Sequence, residues 1–390
     1  MKIVHVIDYF QPKLGYQETF LAREHAAMGH EVCVVTSDRY NRGIYTGNAA
    51  AGVLGSRLKT AGFFTEEGIK VWRLKTLFEL PNIIWVIGLE KKIRELKPDL
   101  VIMHGITNLL AVRIAGLKKK GMNFKLVFDD HAIPENSTGR MRALYPLFRW
   151  LFSPGIQKAA DALVAILPET KAFMNTRYGV PLERISVIPL GADTGLFRFD
   201  AAARRELRQQ LGFKDGEVVF IYTGKIIPMR QLPVFIEASA ILMQKHLNIK
   251  TLFVGGGSPS YIEELKDNVK SKSLSDKFTW LEAVPNEQLY RIYAAADAAV
   301  WPYGASLGMR EALACSLPII IGQEARVTEL VEGGNGFLFR EGDAGDLAQK
   351  MEMLLDTGRR AEMGRNSRKL VEEKFSWKTI ARQFLEAAPG

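Results

Sequence analysis

Three short stretches of this chain place charged side chains where an apolar run gives way to a loop, and each could do chemistry. The first runs Ala299-Val300-Trp301-Pro302-Tyr303-Gly304-Ala305-Ser306-Leu307-Gly308-Met309-Arg310-Glu311. Its apolar run ends at Pro302, a Gly/Ser turn follows, and a helix carrying Glu311 leads to a second apolar run, Leu317 to Ile321. Free N–H groups at a helix start suit phosphate oxygens, and a carboxylate that only accepts hydrogen bonds suits a sugar diol. One loop could then grip a nucleotide by its phosphates and its ribose together. The second stretch follows the apolar run Val218 to Tyr222 and reads Thr223-Gly224-Lys225-Ile226-Ile227-Pro228-Met229-Arg230-Gln231. Two cations at the carboxyl end of a strand are placed to meet a diphosphate, Arg as a fork and Lys as a point charge. The third is Asp129-Asp130-His131, again just after an apolar run.

The elements that must position these residues alternate short apolar runs with helix-period segments, the pattern of parallel sheets built from βαβ units. Strands are expected over 3–7, 32–36, 70–74, 100–103, 125–128, 162–165 and 186–188, and in a second set over 218–222, 250–254, 278–280, 298–301, 319–321 and 336–339. The sets part near Gly191 to Asp200, with no low complexity and no repeat relating the halves. In open α/β sheets ligands gather at the carboxyl ends of the strands, which is where all three stretches fall.

The order and wording of these segments resemble glycosyltransferase family 4, the retaining nucleotide-sugar transferases of GT-B architecture. Glu311-Ala312-Leu313-Ala314-Cys315-Ser316-Leu317-Pro318 matches the family's Glu-Ala-x-Ala-x-x-x-Pro ending. The Gly-Arg-x-x-x-x-Lys-Gly motif is met by Gly224-Lys225 and Arg230-Gln231, with the cations exchanged and the last glycine lost. Gly29-His30-Glu31-Val32 matches a strand entry, Val187 to Phe197 an interdomain segment, and Leu252-Phe253-Val254-Gly255-Gly256-Gly257-Ser258 a glycine turn. Two departures stand out. The family's tandem glycine is reduced to Gly15 followed by Tyr16, and its first acid, eight positions before Glu311, is Tyr303.

The resemblance implies an α/β chain of GT-B fold, two Rossmann-like domains facing across a cleft. It implies an acceptor-side domain over 1–192, a nucleotide-sugar domain over 193–375, and a last helix, 376–390, crossing back to the first. It also implies roles: Lys225 and Arg230 on the departing diphosphate, Glu311 on the ribose, and His131 on the transferred sugar. Gly15, Tyr16, Gly224, Gly256, Val284, Tyr303, Ser306, Leu307, Gly308 and Met309 would complete the donor site, with Ser306 or the Leu307 and Gly308 N–H groups taking over contacts that the missing acid would make. No metal and no cofactor are expected, the donor being a UDP- or GDP-sugar. Asp129-x-His131 could imitate a metal-binding pair, but the cations already supply the charge a metal would bring. Two other readings stay open: a nucleotide-sugar epimerase of related architecture, and a non-catalytic nucleotide-binding relative.

Composition narrows the partners. At 390 residues with 47% hydrophobic content the length favours two domains, each with its own core. The net charge of +9 favours anionic partners such as a nucleotide-sugar, a phosphorylated or lipid-linked acceptor, or a membrane surface. Basic residues are spread out, which argues against nucleic acid. Cys33 and Cys315 offer neither a disulfide framework nor zinc spacing. The chain opens on a strand instead of a signal peptide, and no apolar stretch approaches the ~20 residues of a membrane span. A cytoplasmic enzyme is expected, with peripheral attachment to the inner membrane face as an open option. Arg140 to Phe152 carries that option, since basic residues beside Trp150 and Phe152 suit a headgroup boundary. The alternative is a helix packed on the sheet through Leu144, Leu147, Phe148 and Leu151. His5, His25, His30, His104 and His246 have no partners at ligand spacing and read as structural or surface residues; only His104 could border the cleft.

Overall fold

The protein is described from a computed structural model, which covers residues 1–45, 54–80, 83–134, 139–323 and 327–388, with the side chains of 139–142 left aside. Arg140 and Arg142 therefore lie outside the described side chains. Contacts divide the chain into two compact units, Met1–Leu190 with everything from Trp377 on, and Gly191–Ser376.

The first unit is built on an eight-stranded sheet in the order β10-β9-β8-β7-β1-β2-β4-β3. Its strands are β1 (Lys2–Val6), β2 (Glu31–Ser37), β3 (Gly62–Glu66), β4 (Ile69–Leu74), β7 (Leu100–His104), β8 (Lys125–Asp130), β9 (Ala162–Ala165) and β10 (Ile185–Val187). All pairs are parallel except β3 with β4. The central strands are apolar on both faces because both are covered, as a parallel sheet requires. Val4 and Val6 face one core with Val101, Met103 and Phe128; Ile3 faces the other with Leu21, Ala22 and Ile102. Into that second core comes the helix Trp377–Glu386, whose Trp377, Ile380, Ala381 and Phe384 are buried there, with Trp377 stacked on Phe20 at 4.9 Å. β3 and a small antiparallel pair, β5 (Thr76–Leu80) with β6 (Ile83–Val86), were not expected. β3 shows no alternation to read, since most of its residues face solvent.

The second unit holds a six-stranded, wholly parallel sheet in the order β13-β12-β11-β14-β15-β16. Its strands are β11 (Val218–Thr223), β12 (Ile249–Val254), β13 (Phe278–Leu281), β14 (Ala298–Trp301), β15 (Ile319–Gly322) and β16 (Gly336–Phe339). The chain runs outward from β11 to β13, then returns to lay β14 on the other side of β11. The carboxyl ends of β11 and β14 therefore flank a topological switch point, where such sheets open a crevice.

The helix Gly139–Leu151 corrects one expectation. Leu144, Leu147 and Leu151 are exposed, as is Trp150, while Tyr145 is buried and Phe148 and Phe152 are half-buried. The aromatic stripe 145, 148, 152 lies next to the leucine stripe and repeats at the same period, so periodicity alone does not choose between them. Packing does: Tyr145 and Phe148 meet Phe173 and Tyr178 edge-on, with ring centroids 5.5–5.6 Å apart.

Candidate functional site

At the switch point of the second unit the two predicted loops are tied together. Trp301, wholly buried at the end of β14, donates Nε1–H to the Thr223 carbonyl at 2.9 Å. Arg230 donates from Nη1 to the carbonyls of Tyr303 and Ala305 at 3.2 and 3.1 Å. One face of its fork thus holds the loop that carries the missing acid's position. Lys225 differs: its backbone is pinned by the Tyr222 hydroxyl at 2.8 Å, while its side chain is exposed and pairs with no carboxylate among the described residues. An unpaired lysine here is the cation most available to an incoming anion.

The glycine turn after β12 is required by close approach of backbone to backbone. A Cβ on Gly255 would lie 1.8 Å from the Gly224 oxygen, and one on Gly257 1.9 Å from the Ile226 oxygen. Only glycine lets these loops zip together through Gly224 N–H to Val254 O and Ile226 N–H to Gly256 O. Gly256 lines a cavity of about 570 Å³ with Ile226, Trp280, Glu282 and Ala283, and Val284 follows directly.

Glu311 sits on the helix Leu307–Ala314, whose start Ser306 caps by accepting the Gly308 N–H at 3.3 Å. Gly308 has no room for a side chain, since a Cβ would meet Thr223 Oγ1 at 2.7 Å and the Tyr293 hydroxyl at 2.9 Å. Glu311 itself is 8% exposed. Asn286 donates Nδ2–H to its Oε1 at 2.7 Å, and the Tyr293 hydroxyl lies 3.5 Å from Oε2 while also reaching Gly308 O and Thr223 Oγ1. Burial outweighs these bonds and pushes the Glu311 carboxyl up to about 7. Asn286 and Tyr293 were not found from the sequence, because nothing 25 or 18 residues before a glutamate marks its holder.

The other expected donor-site residues have bonds of their own. The Gly308 N–H is used by the Ser306 cap, and Ser306 is a cap residue in turn. Met309 is wholly buried and its N–H bonds to Ser306 O at 3.2 Å. Tyr303 contributes its backbone oxygen, to Arg230, and its ring is half-buried. Leu307 remains exposed at the helix start.

In the first unit, Gly15 adopts the left-handed conformation at φ 68° and ends a short helical turn, and Tyr16, 38% exposed, precedes the helix Gln17–Ala27. Asp129, wholly buried, accepts Gln17 Nε2–H and faces His104 Nδ1, both at 2.8 Å from Oδ2. His131 leaves 43% of its side chain exposed, with Nε2 3.8 Å from the same oxygen. Desolvation, which would lower the His131 pKa, is outweighed by Asp129, Asp130 and Glu18, so that pKa is raised. Asp129 in turn is held well below the usual carboxylate range, the charges and hydrogen bonds of His104 and His131 overcoming its burial. His5, His25 and His104, read from the sequence as structural or surface residues, are buried and joined to this corner by hydrogen bonds.

Residues 203–370 match the family described as glycosyl transferases group 1, and residues 19–196 match Glycosyltransferase Family 4. The chain belongs to the family 4 glycosyltransferases. The D-inositol 3-phosphate glycosyltransferase of Nocardia farcinica is 30% identical over 253 residues, 62% of this chain and 55% of that protein. The Gordonia bronchialis protein of that name is 29% identical over 244 residues, 60% of this chain and 53% of it. The chain thus spans about half the length of these curated relatives. Among solved structures, Alr3699/HepE of Anabaena in complex with UDP shares the fold at 20% identity with a TM-score of 0.73, over 99% of each chain. This family 4 fold is GT-B. Among the described residues no helix is long and apolar enough to cross a membrane.

Proposed function

We propose that this family 4 glycosyltransferase moves a hexosyl group from a nucleoside-diphosphate sugar to the hydroxyl of a glycan or lipid-linked acceptor, with retention of the anomer and without a metal. One observation carries the reading: Lys225 and Arg230 on the loop after β11 and Glu311 on the helix after β14 flank one switch point, two cations for a diphosphate and a buried carboxylate for a ribose diol. The bond that breaks joins the anomeric carbon to the diphosphate oxygen. The bond that forms joins that carbon to the acceptor oxygen on the same face. The acceptor proton passes to the leaving phosphate, so no protein nucleophile is needed, and Lys225 and Arg230 stabilise the charge the diphosphate gains. His131 is assigned to the transferred sugar, where its raised pKa would make it a donor to a sugar hydroxyl. Gly256 and Val284 are assigned to the base and Gly224 to the phosphates, while Gly15 and Tyr16 border the sugar. The Anabaena protein was solved with UDP, so UDP-sugars are the first donors to test and GDP-sugars the second.

Turnover is expected to survive EDTA, and proton NMR of the first product is expected to show the donor's anomer. Loss in EDTA with rescue by magnesium or manganese would remove the fixed cations from their role. An inverted product would remove the same-face attack.

Assembly of a cell-surface polysaccharide or glycolipid is the finer reading, supported by the outer face of Gly139–Leu151. Leu144, Leu147, Trp150 and Leu151 are exposed there, Trp150 by 76%, and Leu144 and Leu147 line an apolar pocket with Ile83 of β6. Apolar side chains on a helix of a chain charged +9 suit an anionic bilayer surface. Vesicles containing phosphatidylglycerol are expected to sediment with the protein at low salt, less at high salt, and far less with Leu147→Glu/Trp150→Glu. Equal sedimentation of that variant and wild type would leave this face with no role at a membrane.

A further inference from the structure

Three histidines that the donor chemistry does not use are hydrogen-bonded in series in the first unit. His5 lies within β1, His104 ends β7 and His25 lies in the last turn of Gln17–Ala27, and all three are buried. His25 Nε2 lies 3.0 Å from the Ala381 carbonyl oxygen and its Nδ1 3.2 Å from His5 Nε2. His5 Nδ1 lies 3.0 Å from His104 Nε2, and His104 Nδ1 2.8 Å from Asp129 Oδ2. The His5 and His104 rings are within 11° of parallel. A single file of hydrogen bonds therefore joins a backbone carbonyl on the helix Trp377–Glu386 to a carboxylate on β8.

The file can be solved for its protons. A carbonyl only accepts, so His25 Nε2 carries hydrogen toward Ala381. A neutral imidazole has one N–H, so His25 Nδ1 accepts, and His5 Nε2 must donate to it. By the same step His5 Nδ1 accepts and His104 Nε2 donates. Asp129 meets Gln17 Nε2–H on Oδ2 and the Gly105 N–H, 3.3 Å away, on Oδ1, donors that fit an ionised carboxylate. The last bond still needs a proton after three neutral rings have used theirs. It lies between His104 Nδ1 and Asp129 Oδ2. Without it two lone pairs face each other at 2.8 Å, or the whole file reverses and the Ala381 carbonyl loses its donor.

The surrounding groups favour that placement. Asp129 also faces His131 at 3.8 Å; Asp130 follows it on β8, Glu18 stands on the helix with His25, and His30 lies beyond that helix. Burial, followed by the charges of His104 and His25, holds His5 well below its usual range. Burial likewise holds His25 down to about 4, with His30 and His104 adding to it against the Ala381 bond, so the surplus proton is turned toward the Asp129 end.

We propose that His5, His25 and His104 form a proton-holding wire that fixes the Asp129–His131 corner to the helix Trp377–Glu386, with His104 as the positioning residue for Asp129 and through it for His131. The wire stands on its own geometry; only its value to turnover rests on the transfer reading above. Nitrogen-15 NMR of the histidine-labelled full chain at about pH 7, with the signals of His30, His131 and His246 set apart by their own substitutions, is expected to show His104 with hydrogen on both nitrogens and His5 and His25 with hydrogen on Nε2 only. The doubly protonated signal should vanish in His104→Gln. His25→Gln, whose amide can donate to Ala381 and accept from His5, should keep it, and His25→Leu should shift it. Three neutral rings in the wild type, or Nδ1–H tautomers at His5 and His25, overturn the proposal. For turnover, His104→Gln is expected to lower kcat by about tenfold while nucleoside-diphosphate affinity stays within about twofold, because the phosphate grip lies on Lys225 and Arg230. An unchanged kcat overturns the positioning role. The NMR readout needs no substrate, so failure of the wire and failure of the transfer reading are separately visible.

Discussion

Lys225→Ala is expected to weaken nucleoside-diphosphate binding by about tenfold to a hundredfold, the loss of one charge-assisted contact of roughly 1.5–3 kcal/mol, while leaving nucleoside binding nearly intact. The exposed, unpaired state of the lysine makes this the cleaner of the two cation tests. Among the described residues no hydrogen bond or ion pair of its ammonium is lost with it. Arg230→Ala is expected to give a loss of similar size with a second component, because its Nη1 also holds the Tyr303 and Ala305 carbonyls. That component should appear as a lower Tm of the empty protein, since two buried or half-buried carbonyls lose their donor. Arg230→Lys keeps the charge but not the fork, and should recover diphosphate affinity better than it recovers Tm. Calorimetry with the diphosphate and the free nucleoside decides the matter. Equal losses for both ligands in Lys225→Ala would remove the lysine from the phosphates.

The contrast between these cations shows what the sequence could and could not reveal. The central parallel strands were legible because they are short, apolar runs buried on both faces, as in Val218–Thr223. The loops were legible because Gly255 and Gly257 are fixed by close backbone approaches and Gly308 by the buried side chains of Thr223 and Tyr293. What stayed hidden is the set of contacts between segments distant in sequence. Asn286 and Tyr293 come from separate elements to hold Glu311, and His5 is brought to His104 across 99 residues by the pairing of β1 with β7. The local bonds of Ser306 and Met309 stayed hidden for a related reason. Residue type placed them at a helix start, but only the turn geometry shows that the cap takes the Gly308 N–H and that Met309 faces inward.

Glu311→Gln is expected to move binding and stability in opposite directions. The buried carboxyl, raised to about 7, binds more protons in the folded chain than in the unfolded one across the interval from about pH 4.5 to about pH 7. Its contribution to stability is therefore full below that interval, falls as pH rises through it, and is level above, with roughly 3 kcal/mol as the upper bound of the change. The glutamine carries no charge, so the variant should match or exceed the wild-type Tm above about pH 7, with its oxygen still accepting from Asn286. Ligand binding has the reverse sign. Ribose hydroxyls donate to the carboxylate, so a nucleotide-sugar selects the ionised form and binding releases a proton below about pH 7. Wild-type affinity should climb with pH to about 7 and then flatten; the glutamine variant should bind about tenfold to a hundredfold more weakly above that pH and show no such climb. A nucleotide-sugar is the right probe, because a free diphosphate has a phosphate that itself titrates near about pH 6. A 2′-deoxy donor should show a smaller pH dependence and a smaller loss on mutation. Wild-type affinity that is flat with pH, or equal effects on the ribose and deoxyribose donors, would take Glu311 off the ribose.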